Sequence, residues 1–274
     1  MSIEHPTPSQ DLPRFKGVEV FTEGKNPPKN EDVVGANEHT LVLSDGATDK
    51  SGQSFEGRSG GELAAELVVQ TCLSSDATGE ALIAEVSGAL RSLYESINPS
   101  ALTDSAFRFA ATLVAAKLVA DQLVITQVGD SSFRINGTDT YTNDKLVDKL
   151  TANVRKEYIE ATGDVTGSRD FIMPLLKAQH IHQNNADSPL GYGVIDGSPV
   201  PAKFIKTYTF PTADVKTLEL VSDGYYSAFP EATTIEAYEA LHETIEQTDP
   251  NKCGEFTSTK LSDDRTVAIA QLSV

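Results

Sequence analysis

Apolar and polar residues alternate from Phe15 to Thr22 (FKGVEVFT), the two-residue period of a half-buried strand. Leu41-Val42-Leu43 is instead continuously apolar and predicts a buried strand that stops at Asp45-Gly46, where a carboxylate is followed by a backbone able to turn sharply. Asp45 therefore stands at a strand end, facing outward. Leu63, Ala64, Leu67 and Val68 keep one helical face, and Leu82, Val86, Leu90, Leu93 and Ile97 keep a cleaner one, so two helices follow. Ala110 to Leu118, Gln122 to Val128 and Phe133-Arg134-Ile135 read as a meander of antiparallel strands. They are apolar on both faces, which requires a second sheet on one side and helices on the other. Residues 143–185 predict two helices interrupted between Gly163 and Gly167, with Leu146, Leu150, Val154 and Tyr158 in line. After a loop rich in Asn, Gly and Pro, strands return at Phe204–Phe210 and Thr217–Val221, a helix at Ile235–Ile245 and a last strand at Thr266–Leu272. No repeat or low-complexity linker divides the chain. The pattern predicts a loose arm over 1–14 and one α+β domain over 15–274, a two-sheet sandwich covered by helices.

The boundaries of these elements are acidic. Leu218-Glu219-Leu220-Val221-Ser222-Asp223-Gly224 repeats the design of the Asp45 strand, and Val128-Gly129-Asp130-Ser131 ends another. Asn30-Glu31-Asp32 and Ser262-Asp263-Asp264-Arg265-Thr266 flank further apolar runs. Carboxylates offered at five boundaries suit a hard cation such as Mg2+ or Mn2+, which takes oxygen ligands and retains waters. The two cysteines, Cys72 and Cys253, have no CxxC partner and no nearby His at zinc spacing, which points to a reducing cytoplasm. A net charge of -18 disfavours nucleic acid and anionic membrane surfaces as partners. There is no 18-residue apolar stretch and no signal-peptide pattern in MSIEHPTPSQDLPRF.

Taken together, Asn30-Glu31-Asp32, Ser44-Asp45-Gly46, Ala111-Thr112, Val128-Gly129-Asp130-Ser131, Ser222-Asp223-Gly224 and Asp263-Asp264-Arg265-Thr266 occur in the order seen in the metal-dependent type 2C serine/threonine protein phosphatases. The chain resembles that family from Phe15 onward. Each motif alone is weak, since Asp-Gly after a strand is usually only a turn; the ordered set is the signal. The resemblance implies a four-layer α-β-β-α sandwich of two antiparallel sheets flanked by helices, with a two-metal centre in a cleft at one end. It implies hydrolysis of phosphoserine and phosphothreonine in proteins, through attack of a metal-bridging hydroxide held by two Mn2+ or Mg2+ ions about 3.5 to 4 Å apart; a monomer is expected, though no residue pattern identifies the oligomeric state. By the same resemblance Asp45 bridges both ions, the Gly46 carbonyl binds the second, and Asp223 and Asp263 bind the first. Asp263 is preferred to Asp264 because the family's aspartate lies three residues before the threonine. Glu31 and Asp32 resemble the acidic pair that holds metal-bound water, and Asp130 the ligand of a third, weaker ion. The segment at about 143–200 occupies the place of the family's variable flap.

The chain also departs from the family. The arginine that many members place just before Asn-Glu-Asp is missing, and the loop offers only Lys25 and Lys29, of which Lys29 is the candidate phosphate ligand. A lysine provides a point charge without the bidentate fork. Ala47-Thr48-Asp49 stands where other members carry a histidine as general acid. A second reading is therefore a weak or inactive relative that binds or senses. The remaining local patterns have bland readings. His180 and His182, two apart on a helix, point to different sides. Gly57-Arg58-Ser59-Gly60-Gly61 lacks P-loop spacing and caps a helix. A haloacid-type phosphatase wants a second aspartate two residues after the first, where Ala47 stands.

Overall fold

The computed structural model describes residues 13–47 and 53–273, so most of the expected arm, together with Thr48 and Asp49, lies outside the described residues. Ten strands form two antiparallel sheets of five among the described residues. The first has the order β1 (Arg14–Glu23), β10 (Arg265–Ser273), β9 (Thr217–Val221), β6 (Ser132–Ile135), β7 (Asp139–Tyr141). The second runs β2 (Asp32–Ala36), β3 (Thr40–Asp45), β4 (Leu113–Val119), β5 (Gln122–Val128), β8 (Lys206–Pro211). One expectation needs correction: β4 and β5 pair, but β6 does not continue that meander. It pairs with β9 and β7 in the other sheet. The crossing occurs at Gly129, whose φ is +91° and where a Cβ would come within 2.7 Å of the Thr112 methyl. A glycine there lets the chain leave one sheet for the other with no steric penalty.

The alternation along β3 explains why the layers stack. Leu41 and Leu43 enter the core between the sheets with Leu123, Ile125, Phe133 and Leu220. Val42, on the opposite face, packs under α1 (Gly60–Ser74) and α2 (Gly79–Ile97) with Val68, Val86 and Leu90. A strand buried on both faces loses the polar alternation of an exposed sheet, as its sequence predicts. The first sheet is covered on its outer side by α5 (Ile235–Thr248), where Tyr225, Tyr238 and Val267 form a third apolar cluster. The four-layer α-β-β-α order follows. Ser59 caps α1 by accepting a hydrogen bond from the Glu62 N–H at 3.1 Å, and Thr234 caps α5 in the same way through Ala237.

Helices α3 (Leu146–Thr162) and α4 (Ser168–Ala178) form a hairpin in the 143–200 segment, with Gly163 as a left-handed cap between them. The apolar line along α3 does not face the core as its periodicity suggests. Leu146, Leu150 and Val154 are 54%, 47% and 39% exposed, and the buried face carries Val147, Thr151, Arg155 and Ile159. A polar anchor decides the rotation. The buried Arg155 guanidinium donates to Ser168 Oγ and to the Asn251 and Ser258 carbonyls at 3.0 Å each, which fixes its face inward and leaves Leu146, Leu150 and Val154 outward. Tyr158 stacks on Phe171 at 4.3 Å between ring centres and joins the two helices.

Candidate metal centre

The acidic strand ends converge at one end of the sandwich. Asp32 and Asp45 are direct partners across β2 and β3, so the first and last residues of two short strands present carboxylates at the same edge. Asp45 is fixed from behind by Thr112, whose hydroxyl accepts from the Asp45 N–H at 3.1 Å and whose own N–H donates to the Asp45 carbonyl at 2.8 Å. The Thr112 hydroxyl also lies 2.7 Å from that of Ser131, next to Asp130. Asp223 follows β9 in the matching turn of the other sheet. Carboxylate oxygens of Asp45, Asp130 and Asp223 all lie within 4.8 Å of one another, on the floor of a cleft of about 770 Å³. Both Asp-Gly turns need their glycine for close approach. A Cβ on Gly46 would come within 2.4 Å of the Gly61 carbonyl, and one on Gly224 within 2.1 Å of the Asp264 carbonyl.

The expected ligands differ in their surroundings. Asp32 is 7% exposed, and the Ser222 and Thr266 hydroxyls beside it reach neither of its oxygens with full hydrogen-bond geometry. Its carboxyl is pushed up to about 6, mainly by burial, with the neighbouring Ser222 and Thr266 hydroxyls opposing and the Asp223 charge adding. Burial also holds the Asp45 carboxyl well above the usual range, reinforced by Asp223 and Asp32. At Asp223 burial pulls upward too, but Lys260 and Lys145 together with a hydrogen bond from Asp45 bring it below its ordinary value. Burial thus favours the neutral form at Asp45, and the nearby lysines favour the ionised form at Asp223. Glu31 accepts a hydrogen bond from Ser59 Oγ at 2.6 Å, tying the Asn-Glu-Asp loop to the start of α1.

Three lysines meet this acidic set. Lys25 Nζ lies 3.2 Å from Glu31, 3.4 Å from Asp263 and 3.1 Å from Asp264. Lys260 pairs with Asp263, and Lys145 with Asp130. Asp263 is therefore met by two ammonium groups and stands outside the trio of Asp45, Asp130 and Asp223. Asp264, 3% exposed, accepts from the Lys25 N–H at 2.7 Å and the Glu31 N–H at 3.1 Å, a loop-fastening part. Lys29 is exposed on its loop. His180 borders the cleft and His182 bonds Ser188 Oγ at 2.8 Å, each half-buried. Sequence reasoning passed over Lys145 and Lys260. Lys145, a lone lysine before a helix, carries no pattern that announces a carboxylate partner from another element, whereas Lys260 lies only three residues before its partner Asp263 and could have been paired with it.

The donor set fits divalent cations. The oxygens are hard, and both Asp32 oxygens, Asp223 Oδ1 and Asp130 Oδ1 are buried with no hydrogen-bond partner, a cost that a cation would offset, with the Lys145 ammonium standing 2.9 Å from the last. The Protein phosphatase 2C family model matches residues 30–263. The fold is shared with the Mycobacterium tuberculosis serine/threonine phosphatase PstP/Ppp, at 17% identity over 93% of this chain and 97% of that one, with a TM-score of 0.52. The PstP catalytic domain in complex with two manganese ions matches at 17% identity over 96% and 100%, TM-score 0.54. Stp1 from Staphylococcus aureus matches at 18% identity over 97% and 98%, TM-score 0.54. No curated protein matches the chain.

Proposed function

Because the chain belongs to the protein phosphatase 2C family, we propose that it is a metal-dependent hydrolase of phosphoserine and phosphothreonine in proteins, using two Mn2+ or Mg2+ ions. The observation that carries this is the convergence of Asp45, Asp130 and Asp223 within 4.8 Å at the cleft floor, beside a buried Asp32 with no hydrogen-bond partner. Two bound divalent ions supply Lewis acidity, lowering the pKa of water and neutralising charge on the phosphoryl oxygens. In this reading Asp45, the Gly46 carbonyl and Asp223 hold the ions, and Asp263 joins them only by giving up its pairing with Lys25 and Lys260. Thr112 keeps Asp45 oriented, and Glu31 and Asp32 orient water. Lys25 is committed to Glu31, Asp263 and Asp264, whereas Lys29 projects to solvent. Lys29, which is not among the residues lining the cleft, is assigned to the incoming phosphate only as the loop's remaining lysine, and Lys25 to holding the loop. A binding-only module would gain nothing from the desolvation of these like charges.

No helix among the described residues is long and apolar enough to cross a membrane. Free cysteines support a cytoplasmic setting, and the charge of -18 supports a monomer that avoids nucleic acid and membrane surfaces. The substrate class is tested by matched phosphothreonine and phosphotyrosine peptides with Mn2+ present. Phosphate release from the threonine peptide is expected to be at least about tenfold faster; equal rates would contradict the assignment.

A further inference from the structure

We infer that the Lys145 ammonium is the resident cation at Asp130, so that the centre takes two divalent ions and has no third ion at that carboxylate. The inference rests on the two-ion reading above. Lys145 belongs to the flap, at the N-cap of α3, yet its Nζ reaches the strand-end loop and stands 2.9 Å from Asp130 Oδ1. On its other sides lie Asp148 Oδ2 at 3.9 Å and the face of Tyr192, 5.4 Å from the ring centre. The lysine side chain is 17% exposed and that of Asp130 14%. The contact to Asp130 is an ion pair rather than an aligned hydrogen bond, and the two carboxylates and the aromatic face together surround the ammonium.

The cage is held from both ends. Asn143 Nδ2 donates to the Gly129 carbonyl at 2.6 Å, fixing the flap to the loop that carries Asp130, and Gln179 Nε2 donates to Asp148 Oδ1 at 2.7 Å. An ammonium in this place competes directly with a metal ion, since a divalent cation bound through Asp130 would face it at close range in a low-dielectric site. Asp130 is near enough to Asp45 and Asp223 for its charge to matter to them. Its negative charge is already spent on Lys145. Lys145 is thus a positioning residue that closes the third position and ties the flap to the centre.

The test counts Mn2+ bound per chain by equilibrium dialysis, with free Mn2+ read by its paramagnetic resonance, in the wild type, Asp130→Asn, Lys145→Met and the double variant. Two ions are expected in the wild type and in Asp130→Asn, three in Lys145→Met, and two again in the double variant. A wild-type count of three that falls to two in Asp130→Asn overturns the inference, as does a folded Lys145→Met protein that stays at two. If Lys145→Met fails to fold, the Asp130→Asn comparison decides alone. A wild type that binds no Mn2+ would instead refute the two-ion centre on which the inference stands.

Discussion

Asp32 is the residue whose environment makes the sharpest demand. Its carboxyl rises from 3.8 to about 6 when buried in the metal-free protein. A raised carboxylate pKa means that the folded state binds the proton more tightly than the unfolded one. The contribution to stability is then present below about pH 4 and is lost as pH rises through about 6. Asp32→Asn removes this dependence. In EDTA the variant should melt near the wild type at pH 4 and progressively above it toward pH 7.5, and saturating Mn2+ should abolish or reverse the gap. A gap that stays constant over that range would show that Asp32 is not the strained carboxylate. The lysines make a second demand. If Lys29 meets the phosphate as a single charge, Lys29→Ala should raise KM with little change in kcat, a loss of roughly 1 to 2 kcal/mol of binding. Lys29→Arg should keep or improve KM. Steady-state kinetics on one phosphopeptide checks this, with Lys25→Ala beside it; an effect confined to Lys25 would move the phosphate contact there. The acidic residues were legible in the sequence because each sits at the end of an apolar run, where a strand must stop. The pairing of Lys145 with Asp130 was not, because it arises only from the packing of the segment before α3 against the turn after β5, and the influence of Lys260 on Asp223 likewise crosses distant segments.

At the scale of elements, the two Asp-Gly turns work as paired devices that bring one backbone against another. Gly224→Ala would set a Cβ 2.1 Å from the Asp264 carbonyl, and backbone cannot yield as a flexible side chain would. The expected cost is about 1–3 kcal/mol of overpacking, and the displaced Asp223 should weaken Mn2+ binding as well. Urea unfolding with and without Mn2+ measures both, and a Gly224→Ala protein matching the wild type in each would contradict this account of the turn. Periodicity served well in α1 and along α2 as far as Leu93, although Ile97 at the end of the same line is 38% exposed. It failed for α3, where the buried Arg155 and its three acceptors set the rotation and left Leu146, Leu150 and Val154 outward. It failed again at β6, since nothing in Phe133-Arg134-Ile135 records that the glycine before it carries the chain into the other sheet.

For the whole molecule, the sandwich is a way of bringing acids from opposite ends of the sequence to one edge. Asp32 and Asp45 arrive on one sheet, Asp223 and Asp263 on the other, and Asp130 on the crossing between them. The cost of gathering these charges falls on a fold whose two faces of β3 are fully buried, so stability and site are carried by the same strand. The central claim is that this gathering serves divalent ions acting on a phosphate ester. Its most direct test is phosphate release from a phosphothreonine peptide by wild type and Asp45→Asn, each stripped of metal and then titrated with Mn2+. The account predicts negligible release by the stripped wild type, saturable activation by Mn2+, and an Asp45→Asn rate lower by at least ~100-fold at saturation, the scale of losing a principal electrostatic stabiliser. Undiminished turnover in the stripped wild type, or near-normal turnover in Asp45→Asn, would contradict it.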